Sequence, residues 1–369
     1  MAVGLTNSSG QSAPYQIGDT LTTARTDLGD NWLLCNGANV NVEDYPGLSI
    51  MAPQIAGTWN EISLTNVSKN GRLKYVNGYY FLIINFTDSA SIYYTQSLDS
   101  GTWTSLVSTS YDETDITYGN GYWVRASFNG IEWATSLSGS WTKVFLSASS
   151  INCVEFGDGK FLALSSQYVL TCTDPTVDDN WATSSKFWST YQPDLLLYAE
   201  GYWLAATMGE SRLYVTSSSS GSWTDMGNIN VGDYQNIRFL NGLFFAAGTE
   251  GICYAEDPSA ASNWTKITGL TEGDEHLDIA FGGGWYCITS FPASGGKLYY
   301  SYSNSLDVQF SKNSSYGSAL PTSTSGIMFS NNMFVTPAPV VDITYTASIN
   351  IVSLPNISFD KTYTYIKAK

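Results

Sequence analysis

The sequence predicts an all-β fold built as a seven-bladed β-propeller, and two repeats running in phase carry that prediction. A tryptophan following a Gly, Ser or Asn turn recurs at Trp59, Trp103, Trp141, Trp181, Trp223 and Trp264, with a weaker copy ending in Phe310. Between these markers, two-residue turns recur at Asn77-Gly78, Asn120-Gly121, Asp158-Gly159, Glu200-Gly201, Asn241-Gly242, Gly283-Gly284 and Asn331-Asn332, each flanked by short apolar runs. Asn-Gly and Asp-Gly tolerate positive φ at both positions, which makes them strong β-hairpin signals. A period of roughly 40–45 residues with four short strands is the length of a propeller blade.

The first unit serves as the pattern for the rest. Strand A runs from Arg72 to Asn77, B from Tyr79 to Phe86, C from Ser91 to Ser97, and D starts at Trp103. A helical reading fails because these runs are short, rich in β-branched and aromatic residues, and broken by glycine about every 10 residues. The ends fix how the array closes. A Trp59 D strand precedes any A–B–C unit, while the last unit has A near Ile327, B near Met333 and C at Asp342 to Ser348 but no D. Pairing the Trp59 strand with Asp342–Ser348 closes the ring and removes the free edges of an open array. The propeller is thus expected over 55–349, flanked by 1–54 and 350–369. The repeated tryptophans and Gly-aromatic pairs read as packing between blades, since they recur in each one.

Composition narrows the function. The chain has 369 residues, 32 acids against 16 bases and a formal net charge of −16, so it lacks the basic footprint for nucleic acid or an anionic membrane. No apolar run approaches the roughly 20 residues of a bilayer span. The start, from Met1, lacks the basic and apolar regions of a signal peptide, which leads us to expect synthesis in the cytoplasm. With one histidine, His276, and five cysteines (35, 153, 172, 253 and 287) lacking metal-ligand spacing, no metal or other cofactor is expected, and the cysteines read as small buried hydrophobes.

The two ends read differently from the repeats. Ile17-Gly-Asp-Thr, Asn31-Trp-Leu-Leu-Cys-Asn-Gly37 and Tyr45-Pro-Gly-Leu48 resemble the phage tail-collar family, with Trp32, Cys35, Gly37, Tyr45, Pro46 and Leu48 at the family's positions. At the other end, Leu354-Pro355-Asn-Ile357 and Tyr363-Thr-Tyr365-Ile-Lys-Ala-Lys369 resemble the closing strand of the same kind of protein. The family's Gly-rich stretch leading to a Thr-Phe-x-Leu-Pro segment is missing, and the propeller stands in its place. The resemblance implies a bacteriophage virion structural protein, a tail fibre, tail tip or head fibre, on the particle surface. Both chain ends would then form one small collar-like module that attaches to other virion proteins, with a trimer as the family's common oligomer. A closed ring brings its own ends together, which suits insertion into another module.

The propeller is then expected to bind a host-surface glycan or protein. Its long D–A loop at 184–194 carries Phe187, Trp188 and Tyr191 outside the repeat frame, and Tyr111, Tyr234, Phe291 and Tyr316 are expected on the same face. Exposed aromatics among hydroxyl and amide side chains suit sugar rings and protein contacts alike. A decoration module without ligand is the alternative, and a glycan-degrading enzyme ranks below it. An enzyme is not expected. Ser97-Leu-Asp-Ser-Gly-Thr-Trp103 resembles the Asp-box of sialidase propellers, but that turn reports fold rather than catalysis. The arginines, at 25, 72, 125, 212 and 238, do not suggest three converging on a carboxylate, although a glycosidic carboxylate pair among the acids remains open. His276 sits in Glu272-Gly-Asp-Glu-His276, which reads as a solvated acidic loop, and Asp174, Asp178 and Asp179 read as solvated rather than as Ca²⁺ ligands.

Overall fold

The computed structural model describes residues 20–23, 32–34, 60–63, 72–84, 91–97, 102–106, 113–127, 129–144, 150–188, 191–208, 210–282, 284–294, 299–303, 305–307, 310–313, 326–330, 333–337, 348–353 and 363–367. The protein is an all-β propeller. Six four-stranded antiparallel sheets are each drawn from one contiguous stretch of chain. Sheet I comprises Arg72–Val76, Tyr79–Ile84, Ser91–Thr95 and Thr104–Ser105. Sheet II has Glu113–Gly119, Tyr122–Ser127, Gly130–Ala134 and Thr142–Val144. Sheet III has Ile151–Gly157, Lys160–Ser165, Tyr168–Cys172 and Ala182–Ser185. Sheet IV has Leu195–Ala199, Tyr202–Ala206, Leu213–Thr216 and Thr224–Gly227. Sheet V has Tyr234–Leu240, Leu243–Gly248, Gly251–Ala255 and Thr265–Lys266. Sheet VI has Glu275–Gly282, Trp285–Phe291, Tyr299–Ser303 and Ser311–Asn313.

The turn residues do what their chemistry requires. Asn77, Asn120, Asp158, Glu200 and Asn241 have φ between 46° and 50°, and the glycine after each is also positive, so both central residues of these hairpins are left-handed. Around each A–B hairpin one aromatic pair repeats. The ring three residues before the turn's second residue meets the ring two residues after it: Tyr75–Tyr80, Tyr118–Trp123, Phe156–Phe161, Tyr198–Trp203, Phe239–Phe244, Phe281–Tyr286 and Phe329–Phe334. Their centroids lie 4.6 to 4.9 Å apart. Small residues let successive sheets interlock over these rings. A Cβ at Gly157 would lie 2.1 Å from the Tyr198 ring, and one at Gly282 would lie 1.9 Å from the Phe329 ring.

The remaining space between sheets is apolar. Val124, Ala126 and Ile131 of sheet II pack with Val154, Phe161 and Trp181 of sheet III, and equivalent clusters join the other neighbours. The Nε1 groups of Trp103, Trp181 and Trp264 have no hydrogen-bond partner in the protein, so these rings contribute buried area rather than polar contacts.

The ends of the chain pair as well. A composite sheet joins Met328–Ser330, Met333–Pro337 and Ser348–Ser353 with Asn60–Ser63 from the N-terminal side. Its third strand forms at Ser348–Ser353, displaced from the Asp342–Ser348 run expected to fill that place; residues 342–347 lie outside the described residues. Val335 of this sheet is buried with Leu73, Tyr80, Leu82, Ile84 and Trp103 of sheet I, and Phe334 and Ile327 are buried with Ala280, Trp285 and Cys287 of sheet VI. The register sets the direction of both connections. Ser353 lies opposite Met333, the first residue after the A–B turn, and Asn60 lies opposite Ile351, while Ser63 pairs with Ser348 at the far end. The chain therefore enters and leaves this sheet at the end that carries its A–B hairpin. Further out, Thr20–Thr23 and Trp32–Leu34 both pair with Tyr363–Lys367, so that Tyr365 is flanked in register by Leu21 and Leu34.

Candidate functional site

The aromatics singled out on the loop face do not form one exposed platform. Trp188 is 3% exposed and packs with Leu164, Leu196, Trp203 and Tyr214 between sheets III and IV. Phe187 stacks on Trp223 at 4.1 Å and 17°, so Phe187 and Trp188 lie over the boundary between those sheets. Tyr234 is fully buried. These two residues correct the expectation of solvent-facing aromatics: each ring fills apolar space that the loops would otherwise leave open. Phe291 is half-buried at the end of its strand, and Tyr191, 58% exposed, remains available at the surface. Tyr111 and Tyr316 lie outside the described residues, as do Cys35, Gly37, Tyr45, Pro46, Leu48 and Pro355 of the terminal motifs. Trp32 and Tyr365 fall on adjacent strands of the terminal sheet.

Where the loops of sheet IV meet sheet V, the surface opens into a shallow groove of about 560 Å³, lined by Glu210, Ser211, Arg212, Asp225, Met226, Gly227 and Asn228. One wall is the B–C connection of sheet IV, and the other is the end of its D strand. Tyr234 ties the two walls together from beneath. Its backbone N–H donates to Glu210 O at 3.0 Å, and its hydroxyl donates to Gly227 O at 3.0 Å. Burial pushes that hydroxyl's pKa well above the usual tyrosine value, so it stays a donor. A register shift between Leu213 and Tyr214 and a positive φ of 61° at Gly227 bend the strand end outward.

Inside the groove, Arg212 pairs with Asp225, whose other oxygen accepts from Gly227 N at 2.8 Å. Asn228 Oδ1 accepts from Val231 N at 3.0 Å and Gly232 N at 3.2 Å, which leaves its amide N–H groups for the groove. Ser211 Oγ donates to Asp233 Oδ1 at 2.6 Å. Nearby, burial and then the charge of Asp233 raise the pKa of Glu275. Two carboxylates against one guanidinium give the lining a negative balance. No sequence signal marked Glu210, Asp225 or Asn228, because each is a single-copy loop residue outside the repeat.

Around the propeller axis the charges are already spent on one another. Asp115 Oδ1 accepts from Arg72 Nη2 at 3.1 Å and Lys74 Nζ at 3.0 Å, and Lys74 also lies 3.0 Å from Glu155 of sheet III. Arg238 donates twice to Asp278, through Nε at 3.0 Å and Nη2 at 2.6 Å. Asp115, Asn236 and Asp278 each follow a bulge in an inner strand and accept from the next residue's N–H at 2.9 Å. Asp115 and Asp278 also reach the neighbouring sheet, at Val154 N and Ile327 N. With Arg125 held by Glu132, each of the four described arginines faces its own carboxylate rather than a shared point.

One loop reading changes in part. His276 is 1% exposed, with Nδ1 at 2.8 Å from Ser290 Oγ. The neighbouring Asp274 is 5% exposed and accepts from Ala293 N and the Tyr299 hydroxyl. Asp274 and His276 are therefore buried polar side chains rather than parts of a solvated loop, while Glu272 stays exposed; Ala293 N and the Tyr299 hydroxyl satisfy the Asp274 carboxylate. Asp174 and Asp257 each accept from the N–H two residues on, at Thr176 and Ser259, in matching turns before Trp181 and Trp264. Among the described residues no group of three or more His, Cys, Asp or Glu is placed to hold a metal. Cys153, Cys172, Cys253 and Cys287 are buried free thiols, and burial pushes Cys172 and Cys253 up to about 11.

No protein-family model matches the chain, and no curated protein matches it. Solved structures do. YCF48 bound to D1 peptide is similar over 84% of this chain and 99% of its own, at 14% identity and a TM-score of 0.59. YCF48 from Cyanidioschyzon merolae covers 82% and 100% at 11% identity and a TM-score of 0.59. The RRP9 WD40 repeats cover 82% and 99% at 11% identity and a TM-score of 0.57. These likenesses establish the β-propeller fold and nothing finer.

Proposed function

We propose that this chain is a bacteriophage virion structural protein whose propeller recognises the host surface without catalysis. The observation that carries this reading is the sheet in which Thr20–Thr23 and Trp32–Leu34 both pair with Tyr363–Lys367. The two segments that resemble the tail-collar family lie more than 300 residues apart in sequence and share one sheet, with the propeller between them. On this reading the terminal segments form the attachment module, and the composite sheet is a seventh blade that Asn60–Ser63 completes, closing the ring. The packing of Val335 against sheet I supports closure, and on this reading the propeller runs through the strand Ser348–Ser353 rather than ending at 349.

The burial of Trp188 and Tyr234 favours a second reading, a decoration module with no ligand. Adsorption competition separates the two. Purified protein that blocks particle adsorption to host cells supports recognition; protein that is present on the particle but never competes supports decoration. Absence of the protein from purified particles overturns both.

A further inference from the structure

The path of the chain gives the propeller a near and a far side. Both connections to the terminal sheet leave the composite sheet at its A–B hairpin end, where a C–D connection would otherwise run. The opposite end of every sheet carries the B–C and D–A connections, and the groove at Glu210–Arg212 and Asp225–Asn228 lies on that far side. Resting on the virion reading above, this geometry turns the groove away from the particle.

The chemistry of the groove selects a ligand class. Guanidinium, carboxylate and amide groups are held by their own hydrogen bonds, as planar forks that can meet vicinal hydroxyls in pairs. Met226 is the sole apolar side chain in the lining, so the groove has no pocket for the buried aromatic anchor that dominates a protein contact. The excess of carboxylate, within a chain of net charge −16, repels sialylated and uronic-acid glycans. We infer that this groove is a binding site for a neutral polyhydroxylated ligand, a glycan of the host surface.

The test uses the full-length chain on an array of neutral glucose, galactose and N-acetylglucosamine oligomers beside sialylated and uronic-acid oligomers and immobilised host-surface proteins. Arg212→Ala and Asn228→Asp are expected to weaken binding to neutral oligomers at least tenfold while leaving the thermal midpoint unchanged, because Arg212 is exposed and Asp keeps the oxygen that accepts from Val231 N and Gly232 N while removing the amide N–H groups. Tyr191→Ala, on the loop from sheet III, is expected to bind as the parent does. Binding to neutral oligomers that both groove variants retain overturns the groove but leaves host recognition standing. Binding confined to anionic oligomers or to protein overturns the ligand class. No binding to any oligomer overturns the inference, and adsorption competition then decides separately whether host recognition survives.

Discussion

Asp278→Ala tests the polar axis where the numbers are largest. Its carboxylate is fully buried and accepts four hydrogen bonds, two from Arg238, one from Ile279 N and one from Ile327 N. Removing one partner of a buried pair costs about 3–5 kcal/mol, chiefly through the charge left behind. Arg238 retains 24% side-chain exposure, so water recovers part of that loss and the expected cost falls to about 2–4 kcal/mol. The contact to Ile327 adds a distinct signature, since it ties sheet VI to the composite sheet. Urea unfolding followed by tryptophan fluorescence reads the cost. The cycle with Arg238→Ala reads the coupling, and the double variant should lose at least about 1 kcal/mol less than the sum of the singles. The exposed pair Arg212–Asp225 is the control, expected to contribute less than about 1 kcal/mol. A cost for Asp278→Ala no larger than that control, or an additive cycle, refutes the view that the axis holds neighbouring sheets together.

Three further expectations concern stability. Burial opposes ionisation of Asp115, but Lys74 and Arg72 outweigh it and hold its pKa below the usual carboxylate value. Burial likewise opposes the charge on Lys74, and Asp115 and Glu155 outweigh it and raise its pKa. The contribution of Asp115 is therefore present above roughly pH 3.9 and lost as pH falls through its folded value; that of Lys74 is full below roughly pH 10.4 and lost as pH rises through its folded value. Urea midpoints across pH should be flatter at both extremes in Lys74→Met/Asp115→Leu than in the parent; equal slopes contradict the assignment. Trp188→Ala should cost about 3–5 kcal/mol in urea, with adsorption per folded molecule unchanged, because the ring is core. Glu200 holds a left-handed φ of 46° without the side chain that tolerates it best, so Glu200→Asn should raise stability by about 0.5–1 kcal/mol, read as a higher thermal midpoint.

The repeat was legible because its chemistry is copied: a left-handed turn admits few residues, and the paired rings around it recur seven times, from Tyr75–Tyr80 to Phe329–Phe334. The last strand was harder to place. Asp342–Ser348 and Ser348–Ser353 both carry β-forming residues in adjacent runs, and only pairing with Met333–Pro337 chooses between them. The inner-strand bulges before Asp115, Asn236 and Asp278 break the two-residue alternation, so a pattern argument does not see where those polar side chains go. Trp188 and Tyr234 read as surface rings because they lie in or beside loops; their burial depends on which groove each loop crosses. The groove itself depends on Glu210 and Gly227 being brought together by Tyr234, a contact between loops that sequence order does not encode.

Electron cryomicroscopy of the intact particle would show how the chain is mounted. A seven-bladed ring joined to the particle through the terminal sheet on its hairpin side is expected, with the Glu210–Asn228 rim facing outward. Particles lacking this density, a six-bladed or open ring, or a propeller seated with that rim against the particle would contradict it.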